Sequence, residues 1–268
     1  MALSNLAMNI PWLFGVLLHT ALIAIALVIP KKLLTPAGYA NAWLLGVILW
    51  AGLGWRGYVL TLFYLFAGSA VTKVGFAQKE AAGIAEARGG VRGPGNVWGS
   101  ALTGAVCALA IVAIKLALVG RLDGMREVQL VSIWPSLLAL GFVASLSTKL
   151  SDTAATEIGK AYGKRTFLIT TLQPVPRGTE GAVSLEGTVA GAVASVVLAA
   201  VAWCTGLVSL PGVGICAIAA FGATTVESII GATVEEKLTW LTHDLVNIIN
   251  TTIGAALAVG IGLFVLLL

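Results

Sequence analysis

Apolar stretches of about 20 residues, the length a helix needs to cross a bilayer, recur along this chain at 11–29, 37–53, 57–71, 97–119, 131–149, 182–205, 210–230 and 245–268. Such segments leave few folds open, because every backbone N–H and C=O inside lipid must be satisfied within the helix itself. The expected class is all-α: a polytopic integral membrane bundle of about eight helices, with 1–268 forming a single transmembrane domain. The second and third segments are short and separated only by Gly54, Trp55 and Arg56, so they form either a tight helical hairpin or one broken, re-entrant element. Composition agrees, with 58% apolar and only 10% charged residues, against roughly 25% charged in ordinary globular chains. Soluble folds, disordered tails and nucleic-acid-binding domains all need more charge than this. Cys107, Cys204 and Cys216 each sit within an apolar run, which supports neither a disulfide framework nor a cysteine-based zinc site.

Nothing basic precedes the first segment, and its apolar stretch is long for a signal peptide. It is therefore expected to be a retained anchor, and the lack of an Arg-rich transit peptide favours a prokaryotic or mature chain. Lys and Arg in short loops mark the cytoplasmic side. Alternating eight spans puts twelve of the 16 basic residues on one side: Lys31, Lys32, Lys73, Lys79, Arg88, Arg92, Lys149, Lys160, Lys164, Arg165, Arg177 and Lys237. Arg56, Arg121 and Arg126 fall opposite, and Lys115 lies inside a span. Both termini are thus expected to face away from the cytoplasm, while the polar, glycine-rich segments gather on the cytoplasmic face.

Those segments carry the chemistry. Ser69, Thr72 and Lys73 close the third span, where a lysine either snorkels to the interface or meets an anion. Arg88 to Asn96 then forms a basic glycine-rich loop, with Arg88, Arg92, Gly93, Gly95 and Asn96, running into the fourth helix. Glycines let backbone amides approach an anion, and a helix N-terminus adds positive partial charge. At the end of the fifth span, Lys149, Ser151, Asp152, Thr156 and Glu157 occur within eleven residues of one another. Two carboxylates among hydroxyls suit a hard cation such as Mg²⁺, and Asp152 would equally serve a solvated helix cap. Gly159 to Thr166 imitates a P-loop, but its spacing is one residue short and Arg165 stands where a hydroxyl is required. Arg177 to Thr188, with Thr179 and Ser184, repeats the pattern of basic and glycine residues before a helix, and Gly187, Gly191 and Ser195 read as a close-packing row. Near the last two cytoplasmic boundaries lie Glu227 with Ser228, and Asn247 with Asn250 behind His243. An intramembrane carboxylate is costly and by default functional.

Four of these motifs together resemble one family. Lys-Leu-Ser-Asp-Thr-Ala-Ala-Thr-Glu-Ile-Gly from Lys149, Arg-Gly-Thr-Glu-Gly-Ala-Val-Ser-Leu-Glu-Gly-Thr from Arg177, Glu-Ser-Ile-Ile-Gly-Ala from Glu227 and His-Asp-Leu-Val-Asn-Ile-Ile-Asn from His243 resemble the integral-membrane phytyl-phosphate kinases of the vitamin E pathway. The likeness runs from about Gly68 to about Gly254. It implies transfer of a phosphoryl group from a nucleoside triphosphate, typically CTP, to phytyl phosphate or a related polyprenyl phosphate, feeding tocopherol and phylloquinone synthesis. The departure is Glu227, where the family pattern has Asp. On this reading Lys73, Arg88, Arg92 and the 93–96 turn take the donor phosphates, with Thr179 and Ser184 as further phosphate contacts. Mg²⁺ sits on Asp152 and Glu157, with Glu227 a third candidate ligand. Lys149 stands beside Asp152, and Arg177 holds the acceptor anion. The expected partners are the nucleotide, the prenyl phosphate and membrane lipids, with oligomeric state left open. The expected location is a prokaryotic membrane, inner or thylakoid in a cyanobacterium, with the active site on its cytoplasmic side. The competing readings are a lipid or anion transporter, which needs polar groups reachable from both sides, and a CTP-using cytidylyltransferase, whose paired Asp-Gly signature is missing.

Overall fold

A helix of 38 residues, Pro36–Lys73 (α2), is interrupted at Gly54 by φ 64° and ψ −158°, a conformation open essentially to glycine. The chain turns back there. Thr35 and Gly38 at one end of α2 and Gly68 at the other all reach Arg92, and Trp50 meets Tyr58 across the turn with ring centroids 5.9 Å apart. Of the two sequence alternatives, the structure adopts the helical hairpin. Thr35 caps its start by accepting from the Gly38 amide at 3.0 Å, with Pro36 in the first turn.

The computed structural model describes residues 2–30, 32–119, 133–235 and 240–267. Lys31, Arg121, Arg126 and Lys237 lie outside the described residues, as does the side chain of Arg88. Within those bounds α1 spans Ala2–Val28, α3 Phe76–Ala81, α4 Pro94–Val119, α5 Trp134–Tyr162, α6 Leu185–Cys204, α7 Leu210–Ile230 and α8 His243–Leu267. Among the described residues the departure from an all-α chain is a pair of antiparallel strands, β1 Thr166–Leu168 and β2 Ala182–Ser184, in register Thr166 to Ser184. β2 takes the residues expected to open the sixth span, because the Ser184 hydroxyl accepts from the Gly187 amide at 3.1 Å and so caps α6 from outside.

Six of the described helices, α1, α2, α4, α6, α7 and α8, are long and apolar enough to cross a membrane. α5 is not among them, and it runs 13 residues past the expected span end at Lys149. Its 29 residues make roughly 43 Å at 1.5 Å per residue, longer than the ~30 Å hydrocarbon core. The polar helix is tolerated because it is central: α2, α4, α6, α7 and α8 all pack on it, and residues from Leu137 to Asp152 are buried almost without interruption. Glycine permits the closeness. A Cβ at Gly187 would sit 2.5 Å from the Ala155 carbonyl oxygen, and one at Gly191 2.9 Å from that of Ser151, so the row reads as helix packing, as expected.

Counting α2 twice and α5 once restores eight passages. Contacts fix their sense: Arg56 donates to the Gly206 carbonyl at 3.0 Å and Lys115 to that of Gly52 at 3.2 Å at one end of the bundle. Lys79, Arg92, Lys149 and Asn247 gather at the other.

Two outcomes test this arrangement. In a cysteine-free background, Lys73→Cys and Lys164→Cys should be labelled by an impermeant maleimide from one side of a sealed vesicle and Arg56→Cys from the other; labelling of all three from one side contradicts the parity. Gly54→Ala meets no steric obstacle, so its cost is backbone strain alone, about 1–3 kcal/mol. Thermal scans in detergent should show that loss for Gly54→Ala and none for Gly260→Ala, which sits in open space within α8.

Candidate functional site

The lower half of α5 places Lys149, Ser151, Asp152, Thr156 and Glu157 toward a cavity of about 390 Å³. α4 brings Asn96 and Ser100 to it, α6 its capped N-terminus at Ser184 and Gly187, α7 Thr224, Glu227 and Ser228, and α8 His243 and Asn247. The 90–92 and 178–183 segments close it from the loop side.

Its centre is an ion pair held inside the bundle. Lys149 Nζ lies 2.5 Å from Asp152 Oδ2 and donates to Asn247 Oδ1 at 2.6 Å. Both charged side chains are under a tenth exposed, and a cation so desolvated is held by its partners or not at all. The Glu227 carboxyl meets that of Asp152. The Lys149 ammonium acts on Glu227 as well as on Asp152, so one cation faces both carboxyls.

Glu157 has a different partner. It forms a buried ion pair with Lys79, which also donates to the Thr72 carbonyl at 2.8 Å. The structure therefore brings Asp152 to Glu227, not to Glu157. Among the described residues no three His, Cys, Asp or Glu side chains converge as a cage. The donors present, two carboxyls with the Ser151 and Ser228 hydroxyls nearby and a partnerless buried Thr224 Oγ1, are hard oxygens. They fit Mg²⁺, which keeps several waters and shares its shell with phosphates.

Arg92 is the principal cation of the loop side. Its guanidinium donates to the Tyr64 hydroxyl at 2.7 Å and stacks over that ring at 5.2 Å, and Tyr64 donates onward to Ser100 at 2.8 Å. Tyr64 is buried, so the cation is aimed from behind by α2.

Several expected residues take other work. Lys73 is exposed at the end of α2 and does not border the cavity. Gly95 packs on Asp244, where a Cβ would overlap the carboxylate, and the Gly93 amide donates to Asn96 Oδ1 at 3.1 Å; these glycines allow close packing, while Arg92 and Asn96 line the cavity. Arg177 donates to the Ala161 carbonyl at 3.1 Å, which caps the C-terminus of α5, and its neighbours Gly178 and Thr179 reach the cavity in its place. Ser69 and Asn250 are buried away from it. The P-loop imitation is split between the end of α5 and β1, so it cradles nothing. Lys79 and Tyr64 were not singled out by the sequence. Each reads locally as loop charge or span aromatic, and only partners 78 and 28 residues away distinguish them.

Similarity to known proteins agrees with this picture. The chain is 59% identical to the "Uncharacterized membrane protein sll0875" of Synechocystis sp. over 94% of its own length and 91% of that protein. It is 44% identical to "Protein VTE6, chloroplastic" of Arabidopsis thaliana over 87% of this chain and 66% of the relative. A membrane protein of Methanocaldococcus jannaschii, MJ0933, is 27% identical over 88% and 89% of the two chains. No solved structure matches the chain. The resemblance drawn from the four motifs is borne out, and residues 19–255 match a single family across nearly the whole helical bundle: the chain belongs to the integral membrane protein DUF92 family.

Proposed function

We propose that this protein is a phosphotransferase that moves the terminal phosphoryl group of a nucleoside triphosphate, CTP by the family resemblance, onto phytyl phosphate or a related prenyl phosphate, in the vitamin E pathway. One observation carries the reading: a single cavity at one membrane face combines a buried cation and carboxyl pair with a second, aimed cation and with the capped N-terminus of α6. The similarity to Protein VTE6 supports it. A transport path would have to continue to the Gly54 and Gly206 end, and among the described residues none that borders the cavity lies there.

Phosphoryl transfer asks mainly for positioning and charge compensation. Arg92, with Asn96 beside it, takes the donor's phosphates on the loop side. Asp152 and Glu227, in place of the expected Asp152 and Glu157, would hold Mg²⁺, which would supply charge compensation for the transferring group. Lys149 fixes the Asp152 carboxylate and adds positive charge where negative charge accumulates. Thr179, Ser184 and the first turn of α6 receive the acceptor phosphate at a helix N-terminus. An oxygen of that phosphate bonds to the terminal phosphorus of the donor, the bond from that phosphorus to its bridging oxygen breaks, and the nucleoside diphosphate leaves with the electron pair. The acceptor is already ionised near neutral pH, so no general base is required. On this reading the active site faces the cytoplasm, where the nucleotide is.

Purified protein in lipid nanodiscs should consume nucleoside triphosphate with phytyl phosphate and far less with phytol; equal turnover of the alcohol contradicts the reading. Asp152→Asn and Glu227→Gln each remove charge from the carboxyl pair and should lose about 3–4 kcal/mol of transition-state stabilisation, a few hundredfold in kcat. Glu227→Gln leaves the Lys149 to Asp152 pair in place, so its loss reports chemistry, and a folded variant of near wild-type rate returns the pair to structure. Tyr64→Phe keeps the ring under Arg92 but deletes the hydroxyl. It should raise KM for the nucleotide about tenfold, the scale of a hydrogen bond to a charged group, while KM for the lipid phosphate stays within error.

A further inference from the structure

The same cavity does not stop at the loop side. Gly191 of α6 and Phe221 of α7 border it although they lie six and nine residues from the nearer ends of their helices, roughly 9 and 13 Å into the membrane at 1.5 Å per residue. Thr188 and Phe221 line the cavity and are themselves exposed, Phe221 by 52%, next to Val189 on α6 and Ile218 on α7, which are exposed and do not line it. Thr225 lies beside them on α7. The wall between α6 and α7 is therefore open to the side at this depth. The helices converge again at the other end, where 205–209 joins them and Arg56 fastens Gly206.

We infer that this opening between α6 and α7 is a lateral portal that admits the prenyl phosphate from the bilayer and leaves its hydrocarbon chain outside, among lipid; the inference rests on the proposed function for the identity of the occupant. Three physical points favour that occupant. A cavity of about 390 Å³ is at the small end of the roughly 300–1,000 Å³ of ligand pockets, and the polar groups of the site claim it for phosphates. A chain of about twenty carbons gains roughly 0.8 kcal/mol per CH₂ by staying in the membrane, so an entry that keeps it there avoids that cost. The lining is also graded by depth along α6 and α7: Ser184 and Ser228 lie nearest the loop side, Thr188 and Thr225 about a turn deeper, and Phe221 deeper still. This matches a molecule with an apolar tail and an anionic head. The Thr224 hydroxyl, buried and partnerless on this wall, is placed to donate to that head.

The test uses the full chain in nanodiscs. Thr188→Trp and Thr225→Trp narrow the portal and should raise KM for phytyl phosphate about tenfold or more while leaving KM for the nucleotide unchanged. Val193→Trp and Ile218→Trp, on the lipid faces of the same two helices but off the cavity, should change neither. Independently of turnover, phytyl phosphate should protect Thr225→Cys from a membrane-permeant maleimide in a cysteine-free background, and inorganic phosphate should not. Equal effects of the portal and control variants, or no protection by phytyl phosphate, overturn the portal. Protection without any nucleotide consumption by wild-type protein keeps the portal as a lipid-phosphate site and overturns the kinase reading, so the two failures are distinguishable.

Discussion

A charged pair in low dielectric is the interaction on which the rest of this structure depends. Lys149 and Asp152 sit on a helix too polar to cross a membrane unaided, and an isolated charge at that depth costs several kcal/mol even after relaxation. The pair is stable only because α5 is wrapped on all sides and because Asn247 of α8 and Glu227 of α7 complete its surroundings. The wrapping is made possible by glycine. At Gly187 and Gly191 the backbone of α6 lies where any side chain would strike α5, and Gly104 of α4 meets the Phe142 ring within 2.9 Å of where its Cβ would be. The apolar helices are thus a sheath around the polar residues of α5.

Two cross-links transmit that order to the loop side. Arg92 ties the start of α2 to its end, through the Thr35 amide on its carbonyl and Tyr64 on its guanidinium. The Gly54 turn and the cation at the cavity are consequently parts of one device, since the hairpin that folds at one face aims a side chain at the other. Lys79 and Glu157 do the same for the short helix α3, which they pin to α5 by a pair shielded from solvent. A buried pair of this kind is expensive to break on one side only, which holds α3 fixed against α5.

Under the proposed function, a transferase joining a water-soluble donor to a membrane-bound acceptor faces a geometric constraint, because its two substrates arrive through different solvents. The cavity answers it with walls of two kinds: arginine, asparagine and glycine at the loop side, threonine and phenylalanine along the side between α6 and α7. The N-terminus of α6 lies where these meet, and a helix N-terminus is an anion site whichever side the anion comes from.

The apolar run lengths determined by themselves that this chain is a helical membrane bundle, and the Lys and Arg pattern determined which polar segments share a face, because hydrophobic length and charge in short loops are local properties. The motifs around Asp152, Ser184, Glu227 and Asn247 were equally legible, since carboxylates, hydroxyls and glycines at a membrane boundary are costly unless used. Only the tertiary structure decided which carboxylates meet. Asp152 and Glu157 are five apart on one helix and so point in different directions, and their partners, Glu227 and Lys79, come from elements 75 and 78 residues away. It likewise moved the role of Arg177 to capping α5 and that of Gly95 to packing against α8, and it alone supplied Tyr64. Burial and pairing are long-range outcomes of helix packing, and a side chain's own sequence neighbours carry no record of them.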